Sequence, residues 1–457
     1  MKTGLNKLLG AMLAIIVACS MLPAPAKSSA TAERGQKEWL RQNAHELKSL
    51  ESEDFSDLAF LKPLLKDKTV VSLGENFHNV AEYSSIKTRL IKFLHEEMDF
   101  DVIAFESGMG DAFAVFETRD SLSPEAMMGA SIFPIWHSRE TLELFDYIKE
   151  QGNGDDPLYL AGYDNQFTSA YLTQFIGEGI AKLNFDKGKA FFQMELQAVT
   201  DWYDVLNKYP GAPFSKDPAY IKEMEAVIDK YVPQYKEVIK YVEQNRKELK
   251  AFYPKQPHMD EIFLKSLSDH VAFLESGLED VKDAYSSRDR LMTENLEWVM
   301  QSLYPGKKVI LWAHNDHLAK NTSKMLVKED GKWINSFTSM GELMHRKLKD
   351  KMYVIGLYMN RGSSATITSN QPFTIQPAIK GSLEHLVMQS GYANSFIDLS
   401  TQQAMNQQNS WMFRQIYASE DGMTTEQVLP NVMRFTPKEQ YDGIIVIDKV
   451  KAPTPIK

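Results

Sequence analysis

The sequence predicts an α/β fold: a mainly parallel sheet flanked by helices and interrupted by a large all-helical insertion. Three observations predict it. Short apolar runs alternate with amphipathic segments up to residue 168. Between 169 and 304 the alternation gives way to helical patterns rich in Lys, Glu, Leu and aromatics. It returns after the Pro305-Gly306 turn. Strands alternating with helices favour a parallel sheet covered on both faces. At 457 residues, 43% hydrophobic and 25% charged, the chain can bury a sizeable core. A net charge of -10 without a long basic block argues against nucleic acid as a partner.

Residues 1–30 read as a signal peptide. Lys2 and Lys7 precede an apolar run, Leu8 to Leu22, that is too short and wrongly flanked for a membrane span; small residues and prolines follow. The mature protein is therefore expected outside the cytoplasm, secreted or at the cell surface. Ala24-Pro25-Ala26 resembles an A-x-A cleavage site. Alternatively, Ile16 to Ser20 resembles a lipobox, and Cys19 would then carry a lipid as the sole membrane attachment. Cys19 is the only cysteine, so the mature chain has no intrachain disulfide, Cys-based zinc site or Cys nucleophile.

Residues 31–168 form the first part of the core. Thr31–Leu50 and Phe55–Leu65 read as helices. Val70–Leu73 is a strand ending on Gly74-Glu75-Asn76-Phe77-His78-Asn79. A helix follows from about Glu82 to Glu97, then a strand, Val102–Phe105, ending on Glu106-Ser107. A helix runs through Phe113–Phe116, Ile132–Trp136 reads as extended, and Ser138 caps a helix over Arg139–Glu150. Leu158–Gly162 is a third strand, delivering Tyr163-Asp164-Asn165. Residues 169–304 read as four to five helices. Their aromatics, Trp202, Tyr203, Tyr235, Phe252 and Tyr253, serve either as helix–helix core or as a pocket wall. Residues 305–457 complete the core. Val309–Ala313 delivers His314-Asn315-Asp316-His317, Ser339–Leu348 is a helix, and Met352–Tyr358 is a strand. Shorter strands are expected at 365–368, 373–375, 395–398 and 443–447, with a short helix at Glu384–Gln389.

The carboxyl ends of parallel strands face one crevice, where ligands bind. His78, His314, His317, Glu75, Glu106 and Asp164 all follow apolar strands. A histidine shuttles protons near neutral pH, and a carboxylate beside it fixes its tautomer and raises its basicity. Such a set suits the activation of water. Each residue alone could be a turn, a cap or a satisfied hydrogen bond; the set at strand ends is what points to a site. The same Glu75, His78, Glu106, His314 and His317 also have the ligand types for zinc or manganese, although His314-x-x-His317 lacks the helical HExxH spacing. No G-x-S-x-G elbow and no phosphate-binding glycine loop is present. Arg288, Asp289 and Arg290 form either an exposed salt-bridged face or a pocket-lining cluster.

The ordered motifs resemble the erythromycin esterase family. Gly74-Glu75-Asn76-Phe77-His78 resembles its G-E-x-x-H, Val102 to Glu106 its strand ending in Glu, and Trp136 to Glu140 its W-x-x-R-E. Gly162-Tyr163-Asp164 resembles its G-x-D, and Ser287 to Arg290 with Met292 its R-D-x-x-M. Trp312 to His317 resembles W-A-H-N-x-H, and Met340-Gly341 and Tyr441 to Ile444 resemble the closing motifs. The resemblance implies a monomeric hydrolase that uses no metal or other cofactor and attacks an ester or lactone, such as a macrolide ring, with water. In that scheme His78 is the general base, Glu75 and Glu106 orient it, and His314 and His317 complete the catalytic set. Lys87, Asp164, Arg288 and Arg290 would bind substrate. Asn79 and Asn76-Phe77 depart from the family's small residues and alter the pocket rim. An exported protein also differs from the intracellular setting of an esterase that protects ribosomes from an antibiotic. Two alternatives are a metal-dependent hydrolase using the same residues as ligands and a non-catalytic protein binding haem or another bulky ligand.

Overall fold

The computed structural model describes residues 26–212, 215–329, 331–421 and 426–456. The apolar run of the signal and Cys19 lie outside them. The first five strands are β1 (Ala44–Glu46), β2 (Val70–Leu73), β3 (Phe100–Gly108), β4 (Tyr159–Asp164) and β5 (Lys308–Trp312). Then come β6 (Leu326–Glu329), β7 (Lys332–Asn335), β8 (Met352–Ala365), β9 (Pro372–Ile375) and β10 (Asn394–Asp398). The last three are β11 (Ile416–Glu420), β12 (Leu429–Phe435) and β13 (Gly443–Val450).

The main sheet runs β1-β10-β13-β8-β2-β5-β3-β4, with β9 pairing β8. From β13 to β4 every neighbouring pair is parallel; β1, β9 and β10 are antiparallel additions. A second, antiparallel sheet runs β11-β12-β6-β7. The fold is thus a mostly parallel sheet flanked by helices.

The period of two along a strand divides the core between two layers. Val70, Val102, Ala104, Val309 and Leu311 enter one apolar cluster, shared with the helices of the insertion. Val71, Leu73, Ile103, Phe105 and Ile310 enter the other, shared with α1 (Ala81–Met98) and α2 (Arg139–Gly152). α1 stops where Asp99 turns left-handed, at φ 58°, and returns its N–H to the Leu94 carbonyl. Ser138 caps α2 by accepting from the Thr141 N–H.

Between β4 and β5 lie six described α-helices: α3 (Ala170–Leu183), α4 (Phe185–Lys208), α5 (Pro218–Gln244), α6 (Arg246–Phe252), α7 (Met259–Ser276) and α8 (Val281–Trp298), the last continued by a π-helical turn over Val299–Leu303. The extra helix arises at Asn245, whose N–H turns back to the Val242 carbonyl and divides α5 from α6. Trp202 and Tyr235 are core, whereas Tyr203 and Phe252 are exposed.

Local chemistry accounts for three further differences from expectation. Ile132–Trp136 is not a strand: Ser123 and Pro124 start a helix over Pro124–Ser131, and Pro134 opens a tight turn that buries Trp136. The first helix ends at Asn43, and the following residues join the sheet edge as β1. Phe55–Leu65 is a single turn plus a short helix, Leu61–Leu65.

Candidate active site

The site lies at the carboxyl ends of β2, β3, β4 and β5, and Arg288 of α8 reaches into it. Its first half centres on Glu75, which is fully buried. One carboxylate oxygen accepts from the Trp136 indole N–H at 2.6 Å and faces His78 Nδ1 at 2.8 Å. The other accepts from Lys87 Nζ at 2.6 Å. Burial alone would raise the Glu75 carboxyl, but Lys87 and His78 hold it below the ordinary range. An ionised carboxylate only accepts, so His78 Nδ1 is the donor and Nε2 keeps the free lone pair. Burial lowers the His78 pKa against the pull of Glu75, so the ring is neutral near pH 7.

The second half is an ion cluster around Arg288 of α8. Its guanidinium donates to Asp164 at 2.5 and 3.1 Å and to Glu106 at 2.8 Å. His317 lies between two carboxylates, with Nδ1 2.9 Å from Asp289 and Nε2 3.2 Å from Glu106. Burial works against its charge, but Asp289 and Glu106 raise its pKa above the ordinary histidine value. Burial would raise the Glu106 carboxyl; His317 and Arg288 instead hold it well below the carboxylate range.

Glu106 also joins the halves, accepting the His314 backbone N–H at 3.0 Å. The His314 ring lies 5.0 Å from that of His78, centroid to centroid. Its Nδ1 accepts from the Asp316 N–H at 3.2 Å, so the neutral ring carries its proton on Nε2. The two neighbouring imidazoles thus face different partners: His78 keeps its Nε2 lone pair, and His314 Nε2 points to Glu420 and Asp421, at 3.2 and 3.6 Å. Gly162 allows β4 to lie close against the end of β3, because a Cβ there would lie 2.4 Å from the Ser107 carbonyl oxygen and 2.6 Å from that of Gly108.

The sequence candidates are distributed as follows. Glu75, His78, Glu106, Asp164, Arg288, His314 and His317 come together. Lys87 is fully buried behind Glu75, its ammonium 4.5 Å from the Trp312 ring centroid, and has no exposed surface to offer a substrate. Arg290 is exposed, pairs with Glu294 at 2.7 Å and lies on the cleft rim. A cleft of about 400 Å³ opens above Arg288, walled by Asn165, Trp202, Phe273 and Tyr285. The five residues considered as a metal set do not converge. Among the described residues the converging donors are those of His314, Glu420 and Asp421.

Sequence reasoning gave no role to Trp136, Glu420 or Asp421, and left Asp289 between an exposed salt-bridged face and a pocket-lining cluster. Trp136 and Asp289 stood inside recognised motifs, and Asp289 also fixes the chain by accepting the Met340 N–H at 2.6 Å. Glu420 and Asp421 sit on and just after β11, a strand the apolar pattern did not reveal. A bulge interrupts the β11 register between Ala418 and Glu420. There Ser419 donates its N–H to Glu384 at 2.6 Å, and its carbonyl accepts from Asn76 at 2.9 Å. The bulge thereby couples the β2 turn to the second sheet.

A family model described as erythromycin esterase matches residues 95–450, a span that begins after Glu75 and His78. A Bacillus subtilis (strain 168) protein named "Putative hydrolase YbfO" is 33% identical over 463 residues, covering 98% of each chain. Erythromycin esterase type II of Escherichia coli is 20% identical over 442 residues, covering 90% of this chain and 97% of its own. The crystal structure of a succinoglycan biosynthesis protein superposes with a TM-score of 0.69 at 18% identity, over 93% of this chain and 99% of its own. An erythromycin esterase mutant in its open conformation superposes with a TM-score of 0.55 at 16% identity, over 90% and 98%. At these identities the structural likeness is one of fold.

Proposed function

The chain belongs to the erythromycin esterase family of hydrolases, and on that premise we propose that it cleaves an ester or lactone by direct attack of water, with His78 as general base. The observation that carries this reading is the convergence of Lys87, Trp136 and His78 on Glu75, which leaves the His78 lone pair on Nε2. His78 Nε2 takes a proton from water as the oxygen adds to the carbonyl carbon. The carbonyl oxygen gains the charge, facing the Arg288 guanidinium. As the tetrahedral centre collapses, the C–O bond breaks and the alkoxide takes the proton from His78. Glu106 and Asp164 act through Arg288, and Lys87 acts through Glu75. Trp202, Phe273 and Tyr285 give the cleft an apolar wall suited to a bulky, partly apolar substrate. Export to the cell exterior, read from residues 1–30, belongs to the same proposal.

The test is a screen of macrolides and generic esters with wild type and His78→Ala in parallel. Loss of about 10²–10⁴-fold in kcat for any substrate that wild type turns over is the expected result. Equal rates in the two proteins would overturn the assignment. Among the described residues the His78 side chain hydrogen-bonds to Glu75, and it is not part of the apolar core, so circular dichroism should show an unchanged fold.

A further inference from the structure

We propose that His314, Glu420 and Asp421 form a binding site for a first-row divalent cation of the Mn²⁺ or Zn²⁺ class, at the edge of the His78 site. Glu420 is fully buried, and neither of its carboxylate oxygens has a hydrogen-bond partner among the described residues. His314 Nε2 is buried and likewise unpartnered. It lies 3.2 Å from Glu420 Oε1 and 3.6 Å from Asp421 Oδ1, yet the Glu420 contact misses hydrogen-bond geometry. Those separations suit atoms that share a third partner. Two ligands at about 2.0–2.2 Å from one ion, subtending a near-tetrahedral or near-octahedral angle, lie about 3.0–3.5 Å apart. All three donor atoms fall within 4.8 Å of one another, so a small carboxylate rotation closes the set.

A buried carboxylate without a partner is costly, and a cation supplies the missing charge and contacts. One imidazole with two carboxylates suits Mn²⁺ or Zn²⁺ better than soft Cu⁺. Asp316 supports the imidazole: its Oδ2 lies 3.8 Å from His314 Nδ1, and its Oδ1 is buried without a partner. Binding at Nε2 moves the ring proton to Nδ1, where the Asp316 carboxylate accepts it and the 3.2 Å Asp316 N–H contact gives way. The bulge at Ser419 aims Glu420 inward, so the cation would tie the second sheet to the end of β5.

The test measures binding and is independent of whether His78 is the base. Chelator-treated, dialysed protein is titrated with MnCl₂ and with ZnCl₂ by calorimetry, and bound metal is counted after gel filtration. Wild type, Glu420→Gln and Asp421→Asn are compared. One cation per chain is expected in wild type, with binding at least about 100-fold weaker in each variant. Metal-free Glu420→Gln should melt no lower than metal-free wild type, because it loses an uncompensated buried acid. Should it fail to fold, Asp421→Asn, nearer the surface, carries the comparison. Absence of stoichiometric binding in wild type, or wild-type affinity in a folded variant, would overturn the proposal.

Discussion

Trp136 and His78 share a single oxygen of Glu75, at 2.6 and 2.8 Å, and their rings meet edge to face 5.2 Å apart. The indole therefore fixes both the carboxylate and, through it, the imidazole. Trp136→Phe keeps the aromatic packing and removes the donor. A hydrogen bond to a charged group is worth about 1.5–3 kcal/mol, so kcat should fall about 10–100-fold with KM little changed. Steady-state kinetics check this, and an unchanged kcat would remove Trp136 from the orienting machinery.

The pH dependence follows from two groups that must be in opposite states. His78 must be unprotonated, and burial sets its pKa below 6.5, so kcat/KM should fall on the acid side with a midpoint below that value. Lys87 must be protonated to hold Glu75, and burial brings its pKa down to about 8. Activity should therefore decline again on the alkaline side near that point. A kcat/KM profile that stays flat through pH 8 would separate Lys87 from catalysis.

Lys87→Met should destabilise the fold by about 3–5 kcal/mol, because it leaves the Glu75 carboxylate buried without its counter-charge. Adding Glu75→Gln should restore much of that loss. Urea unfolding of the two single variants and the double variant measures the coupling. Additive effects would mean that the pair is energetically independent despite its 2.6 Å contact.

Asp269 of α7 is buried against Asn295, and burial raises its pKa from 3.8 to about 7. The folded state therefore holds a proton that the unfolded state has released. Its contribution to stability is fully present below pH 3.8 and is lost as pH rises through about 7. Asp269→Asn removes that loss. The variant should be more stable than wild type above pH 7, by roughly 2–4 kcal/mol, with the gain shrinking to nothing in acid. A gain independent of pH would assign the effect to packing instead.

Much of the chemistry was legible because it sits directly after apolar strands. Glu75, Glu106, Asp164 and His314 could be placed from the ends of β2 to β5, since fully buried parallel strands read as continuous apolar runs. Lys87 was harder to read. A lysine on an amphipathic helix is ordinarily solvated, and only the packing under Trp312 reveals that it serves Glu75. The second sheet was not legible at all. β6, β7, β11 and β12 are short, leave apolar residues such as Ile334, Tyr417 and Leu429 exposed, and are joined into one sheet only by the long-range β12–β6 pairing. Glu420 and Asp421 were hidden with them, since a bulge in an unseen strand leaves no periodic trace. Arg288 and Arg290 lie two residues apart on one helix and so face differently: one enters the ion cluster and the other pairs with exposed Glu294.

The position of β2 bears on the order of assembly. It is an interior strand of the parallel block, and both its neighbours, β5 and β8, are encoded beyond the six helices. Helices α3 to α8 can form from local contacts, whereas β2 must wait for partners more than two hundred residues downstream. Glu75 and His78 are thus among the first site residues to be synthesised and among the last to be fixed. A chain cut before β8 would hold His78, Arg288 and His317 on one polypeptide and still be inert.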